Sequence, residues 1–196
     1  MRDSCSEGAT SRRIGRRLLL PAALTVAVAV VAFQVWAFRG RQGTVAAGRL
    51  YRSAALPPDR LAQICADQGI RTVIDFRNTE SDARAESTAL AARGIRHVHL
   101  PSTQVPSDET VARFLEVLRS HEGEPVLMHC RHGVGRVGVF TAIYRIEIQG
   151  WRPSSALLEA MVYSGFGSFL PGSPKAQFIL SYRPRRKVRA EPEPRR

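Results

Sequence analysis

The sequence predicts an α/β fold: a small parallel-centred sheet flanked by helices and preceded by one N-terminal transmembrane helix. Three observations predict it. Short β-branched runs alternate with stretches of helical period between residues 50 and 182, the pattern of a parallel sheet with helical crossovers. Over residues 125–149 an apolar run, a glycine-bearing loop and a second apolar stretch of helical length follow without a break. Residues 18–38 carry no formal charge, and that is enough chain to cross a bilayer as a helix.

Each element has its own signal. Leu50 to Ser53 reads as the first strand. Pro57 and Pro58 open a helix that runs through Gln68, with Leu61, Ile64 and Cys65 on one face and Gly69 as its stop. Arg71 to Arg77 is a β-branched strand, and Asp75 with Arg77 suits an ion pair beneath the central loop. Thr79 to Arg93 is an Ala-rich, charged surface helix ended by Gly94, and Ile95 to Leu100 is the next strand. His97 and His99 alternate with Val98 and Leu100, so both lie on one face; they lack an evident third ligand, and no metal is expected. After a loop at 101–106, Ser107 caps a helix through Ser120, with Asp108 and Glu109 in its first turn and Val111, Phe114, Leu115 and Leu118 at helical spacing. Val137 to Gln149 is apolar nearly all round, as a buried helix should be. Helices at 153–163 and 174–182 complete the folded part.

Charge separates the chain into parts. The net charge is +12, but residues 1–48 hold 7 basic and 2 acidic residues, residues 183–196 hold the same numbers, and residues 49–182 hold 15 and 13. A nearly neutral folded part disfavours nucleic acid as a partner. The expected organisation is a basic segment at 1–17, an anchor or signal at 18–38, a linker at 39–48, a catalytic domain at 49–182 and a disordered basic tail at 183–196. From Leu18 to Phe38 the stronger basic flank is N-terminal (Arg12, Arg13, Arg16, Arg17), which leaves the N-terminus cytoplasmic and the domain on the far side of the membrane. A cleaved signal, giving a secreted or periplasmic domain, is the alternative.

The chemistry is concentrated at His129-Cys130-Arg131-His132-Gly133-Val134-Gly135-Arg136. A strand delivers His129 and Cys130 to its end, and Gly133 and Gly135 let the loop turn its amides inward before a helix begins. Convergent N–H groups at a helix N-terminus form an anion cradle, and such a cradle favours a thiolate at its base. Arg136 can return over it and bind two phosphoryl oxygens. A thiolate nucleophile, a nest of amides and a forked cation together suit phosphoryl transfer through a cysteinyl-phosphate. Cys65 and Arg71 have the same spacing, but Cys65 falls inside a helix, an aspartate lies between them and a strand follows, so that pair reads as structural.

The segment His129-Cys130-x-x-Gly133-x-x-Arg136 resembles the phosphate-binding loop of the protein tyrosine and dual-specificity phosphatase superfamily. Over roughly residues 50–166 the chain is most similar to the small, atypical dual-specificity-like enzymes of bacteria, fungi and plants. The resemblance implies a dual-specificity-phosphatase-like fold, Cys130 as nucleophile and Arg136 as phosphate ligand. It also implies an aspartate general acid from the loop upstream of the cysteine, and no metal or cofactor. Asp108 is the best-placed acid and Glu109 the second. The cradle residues Arg131, His132, Gly133, Val134, Gly135 and Arg136 would bind the substrate, with Arg131 and His132 facing outward. Val137 stands where the family usually has Ser or Thr, so no hydroxyl there can assist the sulfur as leaving group. The expected partner is a phosphorylated protein or a small anionic phosphoester. Inositol phosphates, phospholipid head groups and a phosphate-binding pseudophosphatase remain alternatives. Three cysteines do not make a disulfide framework; a reversible Cys65–Cys130 bond that switches the enzyme off is a minor alternative for a domain outside the cytoplasm.

Overall fold

Five strands form one mixed sheet in the order β1-β2-β5-β3-β4, in a computed structural model that describes residues 41–185 together with Thr25, Ala27 and Val28. The strands are β1 (Gly43–Ala46), β2 (Leu50–Ala54), β3 (Thr72–Asp75), β4 (Arg96–His99) and β5 (Val126–Cys130). The pairings β2–β5, β5–β3 and β3–β4 are parallel, and only β1–β2 is antiparallel. The helices are α1 (Pro58–Asp67), α2 (Glu80–Ala91), α3 (Asp108–Ser120), α4 (Gly135–Glu147), α5 (Pro153–Tyr163) and α6 (Pro174–Ser181). The parallel centre and the flanking helices expected from the alternating pattern are therefore present.

The two faces of the sheet carry separate cores. Leu61, Cys65, Val73, Leu90, Ile95 and Leu127 pack together beneath α1 and α2. On the other face Ile74, Phe76, Phe114, Met128, Cys130, Val137, Phe140 and Phe169 form the larger cluster with α3, α4, α5 and α6. Strand alternation explains the division, because Leu127 and Met128 must point to opposite faces. It also separates the two buried free cysteines, Cys65 and Cys130. The sheet stands between them, which rules out the alternative of a Cys65–Cys130 disulfide in this fold. Phe76 stacks on Phe140 with centroids 3.9 Å apart, which ties β3 to the helix behind the central loop.

Local signals set most boundaries. Ser107 Oγ accepts from the Thr110 N–H at 3.2 Å, the cap expected of α3. Pro58 occupies the first turn of α1, and Gly69, at φ +67°, follows its end. Helix α4 begins at Gly135, two residues before the expected Val137, so Arg136 belongs to its first turn.

Two further expectations differ. Residues 43–46, read as linker, form the edge strand β1. Arg49 N–H donates to the Ala46 carbonyl at 3.1 Å to close the hairpin, and Val45 is buried. The neighbouring Gly, Arg and Gln residues mask a four-residue strand. The fold also continues past 182: the Arg185 N–H donates to Glu147 Oε1 at 2.9 Å. The expected transmembrane segment at 18–38 and the tail beyond Arg185 lie outside the described residues, apart from Thr25, Ala27 and Val28. Among the described residues no helix is long and apolar enough to cross a membrane.

Candidate active site

The central strand fixes the site. β5 is paired on both edges, with Ala54 opposite Cys130 on one side and Asp75 opposite His129 on the other. Its last two residues diverge: Cys130 belongs to the core on the α4 side, whereas His129 reaches Glu86 of α2. Cys130 is 2% exposed at the base of the loop that leads into α4. This is the carboxyl end of a parallel strand, where open α/β sheets bind ligands.

Loop geometry depends on two glycines. Gly133 takes φ +67°, and a Cβ there would lie 2.6 Å from the Ala54 amide nitrogen and 2.8 Å from the Ser53 carbonyl carbon. Any side chain would both strain the backbone and push the loop off β2. A Cβ at Gly135 would lie 2.6 Å from Gln104 Oε1, so the loop after β4 closes against the cradle at that point. The first N–H groups of α4 have no intrahelical acceptor and are available to an anion. Val134 is buried, while Arg131 and His132 face solvent at the mouth, as expected.

Arg136 is held by backbone oxygens. Its Nη1 donates to the Phe76 carbonyl at 2.5 Å and to the Ser102 carbonyl at 3.4 Å. The guanidinium thereby bridges the ends of β3 and the loop after β4. Together with Arg77, Asn78, Thr79 and Arg131 it lines a cleft of about 620 Å³. Val137 is fully buried in the core behind the loop.

Beneath the loop lies a buried charge network that the sequence showed only in part. Arg77 donates from Nε and Nη2 to both oxygens of Asp75 at 2.8–3.0 Å, the expected ion pair. The same Nη2 reaches Glu86 Oε2 at 2.6 Å. Glu86 Oε1 lies 2.7 Å from His129 Nε2 and 3.1 Å from His97 Nε2. His99 Nε2 donates to the Arg77 carbonyl oxygen at 2.8 Å. Burial alone would raise the Glu86 carboxyl, but hydrogen bonds from His129 and His97 and the charges of His129 and Arg77 bring it down to about 2. An ionised Glu86 accepts, so the His129 proton resides on Nε2. The network connects α2 to the residue immediately before Cys130.

Sequence reasoning missed Glu86 and the role of His129. A signal for Glu86 was present: it shares a helical face with Ala83 and Leu90, both buried. An acid on an apolar stripe needs a buried partner. Asp75, Glu86 and His129 also bring three possible metal-ligating atoms within 4.8 Å of one another. Arg77 already occupies both carboxylates, so a metal ion would have to displace the guanidinium. His97 and His99 do share a face, and both are committed to this network. The Cys65 thiol, fully buried in α1, is pushed up to about 12 by burial and then by the Glu86 charge, which suits a structural residue.

Asp108 and the cradle are not in contact. Its side chain is fully exposed at the N-terminus of α3 and meets Arg185 Nη2 at 2.5 Å. The residues of the preceding loop that approach the cradle are Ser102 and Gln104.

Comparison with known proteins agrees with this geometry. Over 120 residues the chain is 40% identical to the dual specificity protein phosphatase TpbA of Pseudomonas aeruginosa PAO1, which covers 60% of this chain and 52% of that protein. The chain thus spans about half the length of the curated relatives it matches. The crystal structure of P. aeruginosa TpbA superposes with a TM-score of 0.57 at 29% identity, covering 72% of this chain and 83% of that one. A cysteine-to-serine variant of TpbA in complex with pTyr gives a TM-score of 0.51 at 29% identity, over 68% and 85% of the two chains. The family model described as "DSP-PTPase phosphatase fused to NAD+ Kinase" matches residues 41–168, from the start of the described domain through the cradle and α5. The chain belongs to that family of DSP-PTPase phosphatases.

Proposed function

We propose that the protein hydrolyses phosphomonoesters through a phospho-enzyme on Cys130. One observation carries the reading: a buried cysteine ends the central strand at the base of a glycine-shaped loop, and Arg136 in the next helical turn is anchored beside it. Cys130 Sγ attacks phosphorus, and the P–O bond to the leaving group breaks. The amides from Arg131 to Arg136 and the Arg136 guanidinium hold the phosphoryl oxygens as charge develops. Water then cleaves the S–P bond, releasing phosphate and restoring the thiolate. Phosphotyrosine is the favoured substrate, supported by the TpbA complex with pTyr.

Asp108 is the proposed general acid. Its carboxyl must leave Arg185 and take up a proton to serve the leaving oxygen, so the Arg185 pair opens during the cycle. Val137 offers the sulfur no hydroxyl, which makes breakdown of the cysteinyl-phosphate the slow step. Rapid-quench kinetics of the full chain on aryl phosphates test these assignments. A burst of phenol should precede slow turnover, and Val137→Ser should raise steady-state turnover about tenfold. Asp108→Asn should cost about 100-fold with a poor leaving group and little with an activated one. A loss confined to Glu109→Gln would move the acid role by one residue. A folded chain that binds inorganic phosphate without turnover would be a pseudophosphatase.

The uncharged run at 18–38 is proposed as a single-pass membrane anchor, with the catalytic domain on the non-cytoplasmic side. Alkaline carbonate should leave the full chain in the membrane pellet. A shortened, soluble chain beginning near residue 38 would show instead that the segment is a cleaved signal.

A further inference from the structure

The proposed mechanism leaves one cation beside the cradle without a task. Lys175 is in the first turn of α6, the positive end of the helix dipole, where a lysine is unfavourable. It is partly buried, and among the described residues it has no carboxylate partner. Its Nζ donates to Ser168 Oγ at 2.7 Å and lies 5.1 Å from the centre of the Phe169 ring. That same Nζ stands 3.5 Å from the point where a Cβ on Gly135 would be. The ammonium is therefore at the rim of the phosphate loop, on the flank where Gln104 also approaches. Of its three N–H donors one is used by Ser168, and two remain.

The charges around the site give Lys175 a partner. A cysteine thiolate and a phosphomonoester dianion together bring about three negative charges into the cradle. Arg136 supplies one positive charge from within the loop, and Arg131 supplies another at its mouth. Neither has a carboxylate partner among the described residues. Arg77, which lines the adjoining cleft, is already neutralised by Asp75 and Glu86. Lys175 adds a third positive charge, held at the rim. Desolvation lowers the Lys175 ammonium, and the Cys130 charge acts in the opposite direction, so the two groups sense one another across the loop.

We propose that Lys175 is a further phosphate-binding residue, delivered from α6 to the Gly135 flank of the cradle, where it donates to a phosphoryl oxygen that Arg136 does not hold. The inference rests on the phosphatase reading of Cys130 and Arg136. It assigns a substrate contact to the C-terminal helix, outside the loop that carries the motif.

The test uses the full chain with inorganic phosphate as probe. Calorimetric Kd for phosphate, and KM and kcat for an aryl phosphate, are compared for wild type, Lys175→Met and Lys175→Arg. Lys175→Met should weaken phosphate binding and raise KM about tenfold, with kcat much less affected and the thermal midpoint unchanged or higher. Lys175→Arg should restore most of the affinity. If Lys175→Met leaves the phosphate Kd unchanged, the lysine only staples the 164–173 segment through Ser168, and the proposal falls. It falls equally if the midpoint and kcat drop together while the Kd stays unchanged. Wild type that binds phosphate without turnover would remove the phosphatase reading and still leave the Lys175 comparison decisive. Wild type that does not bind phosphate would overturn both.

Discussion

Cys130→Ser is expected to abolish turnover of every phosphomonoester while leaving phosphate affinity within a few-fold of wild type. Cys130 is buried at the end of a strand paired on both edges. Exchanging sulfur for oxygen there changes little volume and no backbone contact. What is lost is the proposed nucleophile, because a serine hydroxyl stays protonated at neutral pH and is a far weaker nucleophile than a thiolate. Arg136→Lys should behave differently. It removes a planar fork able to hold two phosphoryl oxygens, and a lysine cannot reproduce both bonds. It also removes the ties to the Phe76 and Ser102 carbonyls that fix the side chain over the cleft. With about 1.5–3 kcal/mol for each charge-assisted bond, kcat/KM should drop by about 10³-fold, and phosphate binding should weaken with it. Single-turnover kinetics and phosphate calorimetry on the same preparations separate the two outcomes. Retained activity in Cys130→Ser would remove the covalent mechanism. Lost phosphate binding in that variant, with activity already gone, would mean that the cradle had collapsed.

How much of this was legible in the sequence depended on the range of the forces involved. The cradle was legible because strand, glycine turn and helix start are local events, and Gly133 needs its positive φ whatever surrounds it. The parallel centre followed from alternation alone. β1 escaped because a four-residue edge strand gains its identity from pairing with β2, and its composition does not announce it. Residues 183–185 escaped for a similar reason: their order comes from Glu147, which is distant in sequence. Lys175 carried no signal, since only the packing of α6 brings it to Gly135. The acid assignment was weakest for a physical reason too. A carboxylate that acts by reaching over a site leaves no periodic mark, and Asp108 at a helix start is also an ordinary first-turn acid.

Glu86→Gln is expected to destabilise the domain by about 3 kcal/mol at neutral pH, the cost of unbalancing a buried, hydrogen-bonded ion cluster. The buried carboxylate meets Arg77, His129 and His97 at once. A glutamine can donate to or accept from one or two of them, but it leaves Arg77 with Asp75 as its only buried carboxylate. The pH dependence identifies the source of the effect. Glu86 is held at about 2 in the fold, below its ordinary value of 4.5. Its contribution is therefore complete above the unfolded carboxyl range and is lost as pH falls from about 5 towards 2. Urea midpoints should show wild type well above Glu86→Gln at pH 7, with the gap closing as pH approaches 2. A gap that stays constant with pH would assign the loss to packing rather than to the carboxylate. The variant also reports on function, because His129 precedes Cys130 and its Nε2 is oriented by Glu86. Turnover at a temperature where the variant remains folded should fall less than tenfold, since the cradle is shaped on the opposite face by Gly133 against β2. A larger fall in a folded variant would mean that the charge beneath the sheet, and not the loop above it, governs the cysteine.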